Sequence, residues 1–306
     1  MSTVAVIDIG SNSIKLLVAS RAGDGRLVAK KLQTIEARIS AGLSAEKPRL
    51  GAEGMARGVE AVQELAAEAA GFEPSATVVV ATSAVRGAEN GAEFCAQVRA
   101  ATGLAVRILS GDEEAGLIGR GLLCDPQLAA ERDFYVFDLG GGSLECIAFQ
   151  DRKVIREASL PLGCVRLTEM FVPDPAAPFP AQAAAAIAAH TRKAVTAANF
   201  SLAGQATAIG TGGTLTSVRA MLAARAGKRM EETSADLPVR ALRELLAQMS
   251  ALPLEGRKQV PGLPAGRADV FPAALATLIA VADLAGFEFY RHSLYNLRWG
   301  LAAEAG

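Results

Sequence analysis

Residues 134–149, FYVFDLGGGSLECIAF, restate the plan of residues 4–19, VAVIDIGSNSIKLLVA, in which an apolar run meets a glycine turn and returns as a second apolar run. A shift of 130 residues lays Val6 on Val136, Asp8 on Asp138, Gly10 on Gly140 and Ser13 on Ser143, with Ile9 over the similar Leu139. A chain that begins twice in the same way is expected to fold as two lobes of common plan. Each lobe should open on an antiparallel hairpin, because apolar runs split by Gly-Ser-Asn-Ser or Gly-Gly-Gly-Ser turn back on themselves. In the first lobe Ala22-Gly23-Asp24-Gly25 turns the chain into a third strand.

Beyond the first hairpin the spacing of apolar residues predicts a helix over 52–70, a strand over 76–82, a helix over 90–101, a strand over 104–109 and a helix over 112–122. Beyond the second it predicts a strand over 153–159, a helix over 179–199, a strand over 205–210 and helices over 213–223, 237–250 and 271–285. Strands alternating with helices make an α/β layer fold. The polar stretch from Leu123 to Glu131, where Cys124-Asp125-Pro126 breaks a helix, divides the chain into 1–123 and 124–306, with the last helix free to pack back on the first lobe.

At 306 residues and 51% hydrophobic, the chain can bury two cores of ordinary size. Lys and Arg number 31 against 32 for Asp and Glu, so bulk charge offers nothing to duplex nucleic acid or to an anionic membrane. A polyanion must be met by a local basic patch. The four cysteines form no CxxC and read as reduced thiols, and two histidines leave little for histidine-centred metal or triad chemistry. No signal segment opens the sequence and no apolar run is long enough to span a bilayer, so a cytoplasmic location is expected.

The chemistry concentrates at the glycine turns. Asp8 ends a strand, and Gly10, Ser11, Asn12 and Ser13 follow in a tight turn whose N–H groups can point at an anion; a divalent cation would let the carboxylate share that site. Gly140, Gly141, Gly142 and Ser143 repeat the turn, and three successive glycines carry an entropic cost that close approach of a ligand justifies. Asp138 before them and Glu145 after them add two carboxylates, so Asp8, Asp138 and Glu145 are candidate ligands of one metal ion. A third glycine site, AIGTGGTL over 208–215, places Gly212, Gly213 and Thr214 where a strand enters a helix, a position suited to an anion or a nucleotide sugar, or to a tight packing turn alone. ILSGDEEAGLIGRG over 108–121 gives a helix capped by Ser110 or Asp112, with Glu113 and Glu114 in its first turn. Acidic residues there serve capping; one of the two can also take a proton from an attacking water. Candidate phosphate-binding cations are Lys15, Arg38, Arg86 after Ser83, Arg120, Arg166, Arg257, Lys258 and Arg267, with Arg38 and Arg86 foremost.

Taken in order, VIDIGSNS, ATSAVR, ILSGDEEA, VFDLGGGS, LPLGCVRLTE, AIGTGGT and RADVFPAAL resemble the exopolyphosphatase and guanosine pentaphosphate phosphatase family along nearly the whole chain, with LRWGL over 297–301 similar to its closing segment. The resemblance implies two lobes of duplicated actin-like, ribonuclease H-like fold around an interlobe cleft. It implies Glu114 as general base, Asp8, Asp138 and Glu145 as metal-side carboxylates, and Ser11, Asn12, Ser13, Gly140 to Ser143, Arg38, Arg86 and Arg166 as phosphate contacts. The expected cofactor is Mg2+ or Mn2+, and the expected activity is hydrolysis of terminal phosphate from inorganic polyphosphate. Guanosine pentaphosphate is the alternative substrate. A nucleotide-binding kinase or an actin-like assembly protein is the alternative from another class. A homodimer is expected. Lys15 occupies a position where such relatives commonly carry an aromatic residue or histidine, and the helical C-terminal domains of longer relatives have no counterpart here.

Overall fold

A computed structural model describes residues 2–43, 48–200 and 206–306. The strands are β1 (Thr3–Ile9), β2 (Ile14–Arg21), β3 (Leu27–Ile35), β4 (Ala76–Ala81), β5 (Val106–Ile108), β6 (Phe134–Leu139), β7 (Leu144–Gln150), β8 (Lys153–Leu160), β9 (Thr207–Thr211), β10 (Asp236–Pro238) and β11 (Phe289–His292). The helices are α1 (Ala52–Ala70), α2 (Ser83–Arg86), α3 (Gly91–Thr102), α4 (Gly111–Leu122), α5 (Cys164–Phe171), α6 (Ala181–Ala197), α7 (Gly213–Arg225), α8 (Val239–Ala251), α9 (Leu254–Lys258), α10 (Phe271–Ala285) and α11 (Leu297–Ala305). No helix among the described residues is long and apolar enough to cross a membrane.

The first sheet has the order β3-β2-β1-β4-β5, with β1, β2 and β3 antiparallel and β4 and β5 added in parallel. The second sheet repeats it as β8-β7-β6-β9-β11, again three antiparallel strands followed by two parallel ones, with β10 as an additional antiparallel edge. The duplication extends to register: Ile9 pairs with Ile14 and Asp8 with Lys15, while Leu139 pairs with Leu144 and Asp138 with Glu145. β1 is buried along nearly its whole length because both sheet faces are covered, whereas β3, at the edge, alternates half-buried and exposed residues.

The chain divides into two compact units, Met1–Ala129 with Tyr295–Gly306, and Ala130–Leu294. Residues 124–129 therefore lie with the first unit, although the sequence reading began the second lobe at 124. The helix break at Cys124-Asp125-Pro126 continues into a short 3-10 turn, Pro126–Leu128, whose Leu128 is buried. Each unit has its own core: Ile7, Ile9, Leu16, Val62, Leu65 and Phe94 in the first; Phe137, Leu139, Leu144, Ile187, Phe271 and Tyr290 in the second. In the first unit α11 lies against α4 at a point where both carry glycine. A Cβ on Gly121 would sit 2.0 Å from the Asn296 carbonyl oxygen, and one on Gly300 1.9 Å from that of Leu117.

Short elements escape the periodicity reading: α2, α5, α9, β10, β11 and α11 span 3 to 9 residues. The strand predicted over 104–109 shortens to Val106–Ile108. That predicted over 205–210 runs Thr207–Thr211, its first position lying outside the described residues. The four cysteines are free; burial pushes the Cys146 and Cys164 thiols far from ionisation.

A buried histidine gives the second unit a pH dependence. His292 ends β11, is 3% exposed, and its Nε2 lies 3.1 Å from Thr216 Oγ1. That hydroxyl donates its proton to the Gly212 carbonyl at 2.9 Å, so it accepts from His292 Nε2–H, and Nδ1 is the unprotonated nitrogen, buried without a partner among the described residues. Burial, reinforced by the nearby Arg219 charge, depresses its pKa to about 4. The imidazole of the unfolded chain titrates near 6.5, so the unfolded state binds the extra proton first. Stability is full above about pH 6.5 and declines as pH falls toward 4, by about 2–3 kcal/mol at pH 4.5. Urea denaturation of wild type and His292→Gln at pH 7 and 4.5 checks this: the acid-dependent loss should shrink in the variant, whose amide can still donate to Thr216.

Candidate active site

In a sheet with parallel strands, side chains and loops that act together gather at the carboxyl ends of those strands. In the first unit β1, β4 and β5 run parallel, and their carboxyl ends lead into Gly10–Ser13, into Thr82 and α2, and into Ser110 and α4. Hydrogen bonds tie these ends together, from Thr82 N–H to Ile9 O and from Leu109 N–H to Ala81 O. Asp8, Ser11, Asn12, Ser13, Ser83, Arg86 and Glu114 are thus delivered to one end of one sheet.

The Gly10–Ser13 turn closes with Gly10 N–H on Ser13 O at 3.2 Å, and its duplicate closes identically with Gly140 N–H on Ser143 O at 3.0 Å. Ser11, Asn12 and Ser13 are 4–6% exposed. Both polar atoms of the Asn12 amide are buried without a partner among the described residues, an arrangement that is costly unless water or a ligand satisfies it. Carbonyls of the turn are held from behind: Arg38 N–H donates to Asn12 O at 2.9 Å, and Ser40 reaches Ser11 O through its N–H at 3.3 Å and its hydroxyl at 3.1 Å. Arg38 thereby stands beside the turn.

The two glutamates of α4 part company. Glu113 is the capping residue: Ser110 Oγ accepts from its N–H, its carboxylate accepts from Ser110 N–H at 2.8 Å, and Arg107 pairs with it at 2.8 Å. The Arg107 hydrogen bond, then those of Ser110, lower its pKa to about 2. Glu114 is turned the other way, 6% exposed, with Oε2 2.9 Å from Arg86 Nη1. The same Arg86 nitrogen donates to Leu109 O at 2.8 Å, which fixes the guanidinium to the end of β5. Arg86, expected as a phosphate contact, is therefore also the partner of the candidate base.

Asp8 is buried against the same end of β1. Desolvation raises its pKa, while Lys15, directly across the ladder, and Arg298 pull it down. A carboxylate so placed favours a neighbouring cation.

In the second unit the corresponding strand ends are those of β6, β9 and β11. Asp138 faces Glu145 across the β6–β7 ladder, and Glu145, 2% exposed, accepts from Ser159 Oγ at 2.8 Å. Two opposed carboxylates suit Mg2+, which is held through one or two carboxylates together with water and phosphate oxygens; no group of three or more His, Cys, Asp and Glu side chains able to hold a metal occurs among the described residues. The glycine loop 140–143 is pinned by the start of α5, where Cys164 N–H donates to Gly140 O and Val165 N–H to Gly141 O. Arg166 Nε donates to Gly142 O at 3.2 Å. The third glycine turn belongs to the same group. Gly212 has φ +89, and a Cβ there would lie 2.4 Å from Asp138 Oδ1; a Cβ on Gly213 would lie 2.5 Å from Arg267 Nη1. Arg267, 8% exposed, donates from Nη2 to Thr214 Oγ1, and its Nε is buried without a partner among the described residues.

Three candidate cations have other partners. Arg120 pairs with Glu304 and Lys258 with Glu255, both on the surface, and Arg257, 1% exposed, holds the carbonyls of Pro175 and Ala177. Sequence reasoning missed Gly163, where a Cβ would lie 2.3 Å from Gly141, and Ser159 and Ser40. A lone glycine in LPLG and two strand or loop serines carry no signal of their own; only pairing with the turns singles them out.

Comparison with known proteins gives a family and a fold. A sequence model described as the Ppx/GppA phosphatase family matches residues 16–305. The chain is 33% identical over 301 residues to the guanosine-5'-triphosphate,3'-diphosphate pyrophosphatase of Aeromonas salmonicida (strain A449), covering 97% of this chain and 58% of that protein. It thus spans little more than half the length of that curated relative. Among solved structures, an exopolyphosphatase-like protein superposes with a TM-score of 0.89 at 25% identity, covering 100% of this chain and 98% of that one. An exopolyphosphatase from Cytophaga hutchinsonii superposes with a TM-score of 0.87 at 21% identity, covering 98% and 96%. The fold is that of the actin-like, two-domain members of this group, with two α/β sheets.

Proposed function

Because the chain belongs to the Ppx/GppA phosphatase family, we propose that it hydrolyses the terminal phosphoanhydride bond of inorganic polyphosphate, with Glu114 as the base that activates water. The observation that supports this most is the division of labour on α4: capping is taken by Glu113, which leaves Glu114 buried beside Arg86 at a strand end rich in anion-binding backbone. N–H groups of Gly10–Ser13 and of Gly140–Ser143, the Asn12 amide, and Arg38, Arg166 and Arg267 bind phosphate oxygens. In the second unit Gly212, Gly213 and Thr214 open α7 beside Asp138, and in the first Ser83 opens α2; both are assigned to phosphate.

In the second unit Asp138 and Glu145 would hold Mg2+ or Mn2+, and Asp8 is the corresponding carboxylate at the duplicated turn of the first unit. When bound, the metal withdraws charge from the phosphoryl oxygens. Glu114 accepts a proton at a carboxylate oxygen as the water oxygen forms its bond to the terminal phosphorus. The bond from that phosphorus to the bridging oxygen breaks, and the shortened chain leaves with the electron pair. Arg86 holds Glu114 in one orientation throughout.

A second reading, hydrolysis of guanosine pentaphosphate, is favoured by the name of the Aeromonas relative. Orthophosphate release from long polyphosphate, triphosphate, guanosine pentaphosphate and ATP, with Mg2+ or with chelator, separates the two. We expect chelator to abolish release and polyphosphate to have the highest kcat/KM. Preference for guanosine pentaphosphate would replace the first reading by the second, and release unaffected by chelator would remove the metal.

A further inference from the structure

Arg57, on the exposed side of α1, has no part in the chemistry above, yet its guanidinium is committed to the backbone that carries Arg38. Nε donates to Ala37 O at 3.0 Å and Nη2 to Arg38 O at 3.3 Å. Arg38 has φ +48, the left-handed region that a non-glycine residue keeps only when its surroundings impose it. The same helix is notched to receive the next residue. A Cβ on Gly54 would lie 2.9 Å from Ile39 O, and one on Gly58 would lie 2.8 Å from Ile39 Cγ2. On its other side this segment grips the first glycine turn, through Arg38 N–H to Asn12 O and Ser40 N–H and Oγ to Ser11 O.

An unbroken chain of packing and hydrogen bonds therefore runs from α1 through residues 37–40 to the turn at 10–13. We propose that Arg57 is a positioning residue: by holding two successive carbonyls it keeps residue 38 in the left-handed conformation that sets both the Arg38 side chain and the carbonyls of the Gly10–Ser13 turn. Charge pairing does not account for Arg57. Its neighbour Glu53 is 3.8 Å away and 97% exposed, an ion pair that water screens. The proposal rests on the reading that the turn and Arg38 bind phosphate.

Two measurements on the full chain test it. In Arg57→Ala, amide exchange at Arg38 and Ser40 should accelerate, because the two peptide units flanking residue 38 are no longer held and the segment that grips the turn loosens. KM for polyphosphate should rise about tenfold with kcat within about threefold, as expected when the ground state and the transition state are bound more weakly by the same amount. Arg57→Lys should recover part of both effects, since one ammonium can reach one of the carbonyls. In an Arg38→Gly background, where a positive φ is no longer strained, adding Arg57→Ala should change exchange at Ser40 little. Unchanged exchange at Arg38 and Ser40 in Arg57→Ala would overturn the proposal, and so would faster exchange with KM unaltered. A wild-type chain inactive on every phosphoanhydride tried would sink the proposed function instead, while the exchange measurement would still decide whether Arg57 restrains the segment.

Discussion

Replacing Glu114 by Gln is expected to lower kcat for polyphosphate by about 10²-fold or more with little change in KM or in the unfolding temperature. The amide has the shape of the carboxylate and keeps an oxygen to accept from Arg86 Nη1, so the arrangement at the end of β5 survives. What disappears is the ability to take a proton. Glu114→Ala is the poorer experiment, because it leaves Arg86, only 27% exposed, without its partner and so mixes a stability effect with the chemical one. The adjacent Glu113→Gln is the matched comparison: it weakens the capping box and the Arg107 pair on the surface, and activity should stay near wild type. Steady-state kinetics of the two variants side by side decide the assignment; equal losses in both would mean that helix capping, not proton transfer, explains the requirement.

The second large effect concerns stability. In an ordinary helix Gly→Ala stabilises by up to about 1 kcal/mol. At Gly121 and at Gly300 the sign should reverse, because the new Cβ meets backbone, 2.0 Å from Asn296 O in one case and 1.9 Å from Leu117 O in the other. Neither carbonyl can rotate away without breaking its helix, so α4 and α11 must separate. Overpacking of this kind costs about 3 kcal/mol or more. For a unit of this size that is a fall of roughly 10 °C in Tm. Activity should fall with it, since the helix that Gly121 closes is the one that Glu114 opens. Thermal unfolding of either variant with an unchanged or raised Tm would show that the helices have room to spare.

The repeated hairpins were legible because two independent signals coincide in them, period-two apolar runs and glycine turns, and a shift of 130 residues preserves even the facing pairs Ile9–Ile14 and Leu139–Leu144. The long helices were legible from one apolar face. The roles of Glu113 and Glu114 were not separable, since neighbours on a helix point about 100° apart and only the placement of Arg86 and Arg107 decides which one is buried. α11 packs on a sheet whose strands all lie more than 180 residues earlier, through a close backbone approach that leaves only two single glycines in the sequence. Arg57 reads as one more solvated arginine on a polar helix face, because the carbonyls it holds belong to a loop defined by its backbone angles. Lys15 shows the opposite case. Its register, opposite Asp8 where the second unit has Glu145 opposite Asp138, follows from the hairpin alone and gives the two halves of a duplicated plan different charge.

Hydrolysis itself is tested most directly by isotope. With polyphosphate and Mg2+ in H2(18)O and no added acceptor, each orthophosphate released should carry one 18O atom taken from solvent, at a rate that Glu114→Gln depresses. Release that needs an acceptor molecule, or orthophosphate without label, would make the chain a phosphotransferase and contradict water activation by Glu114.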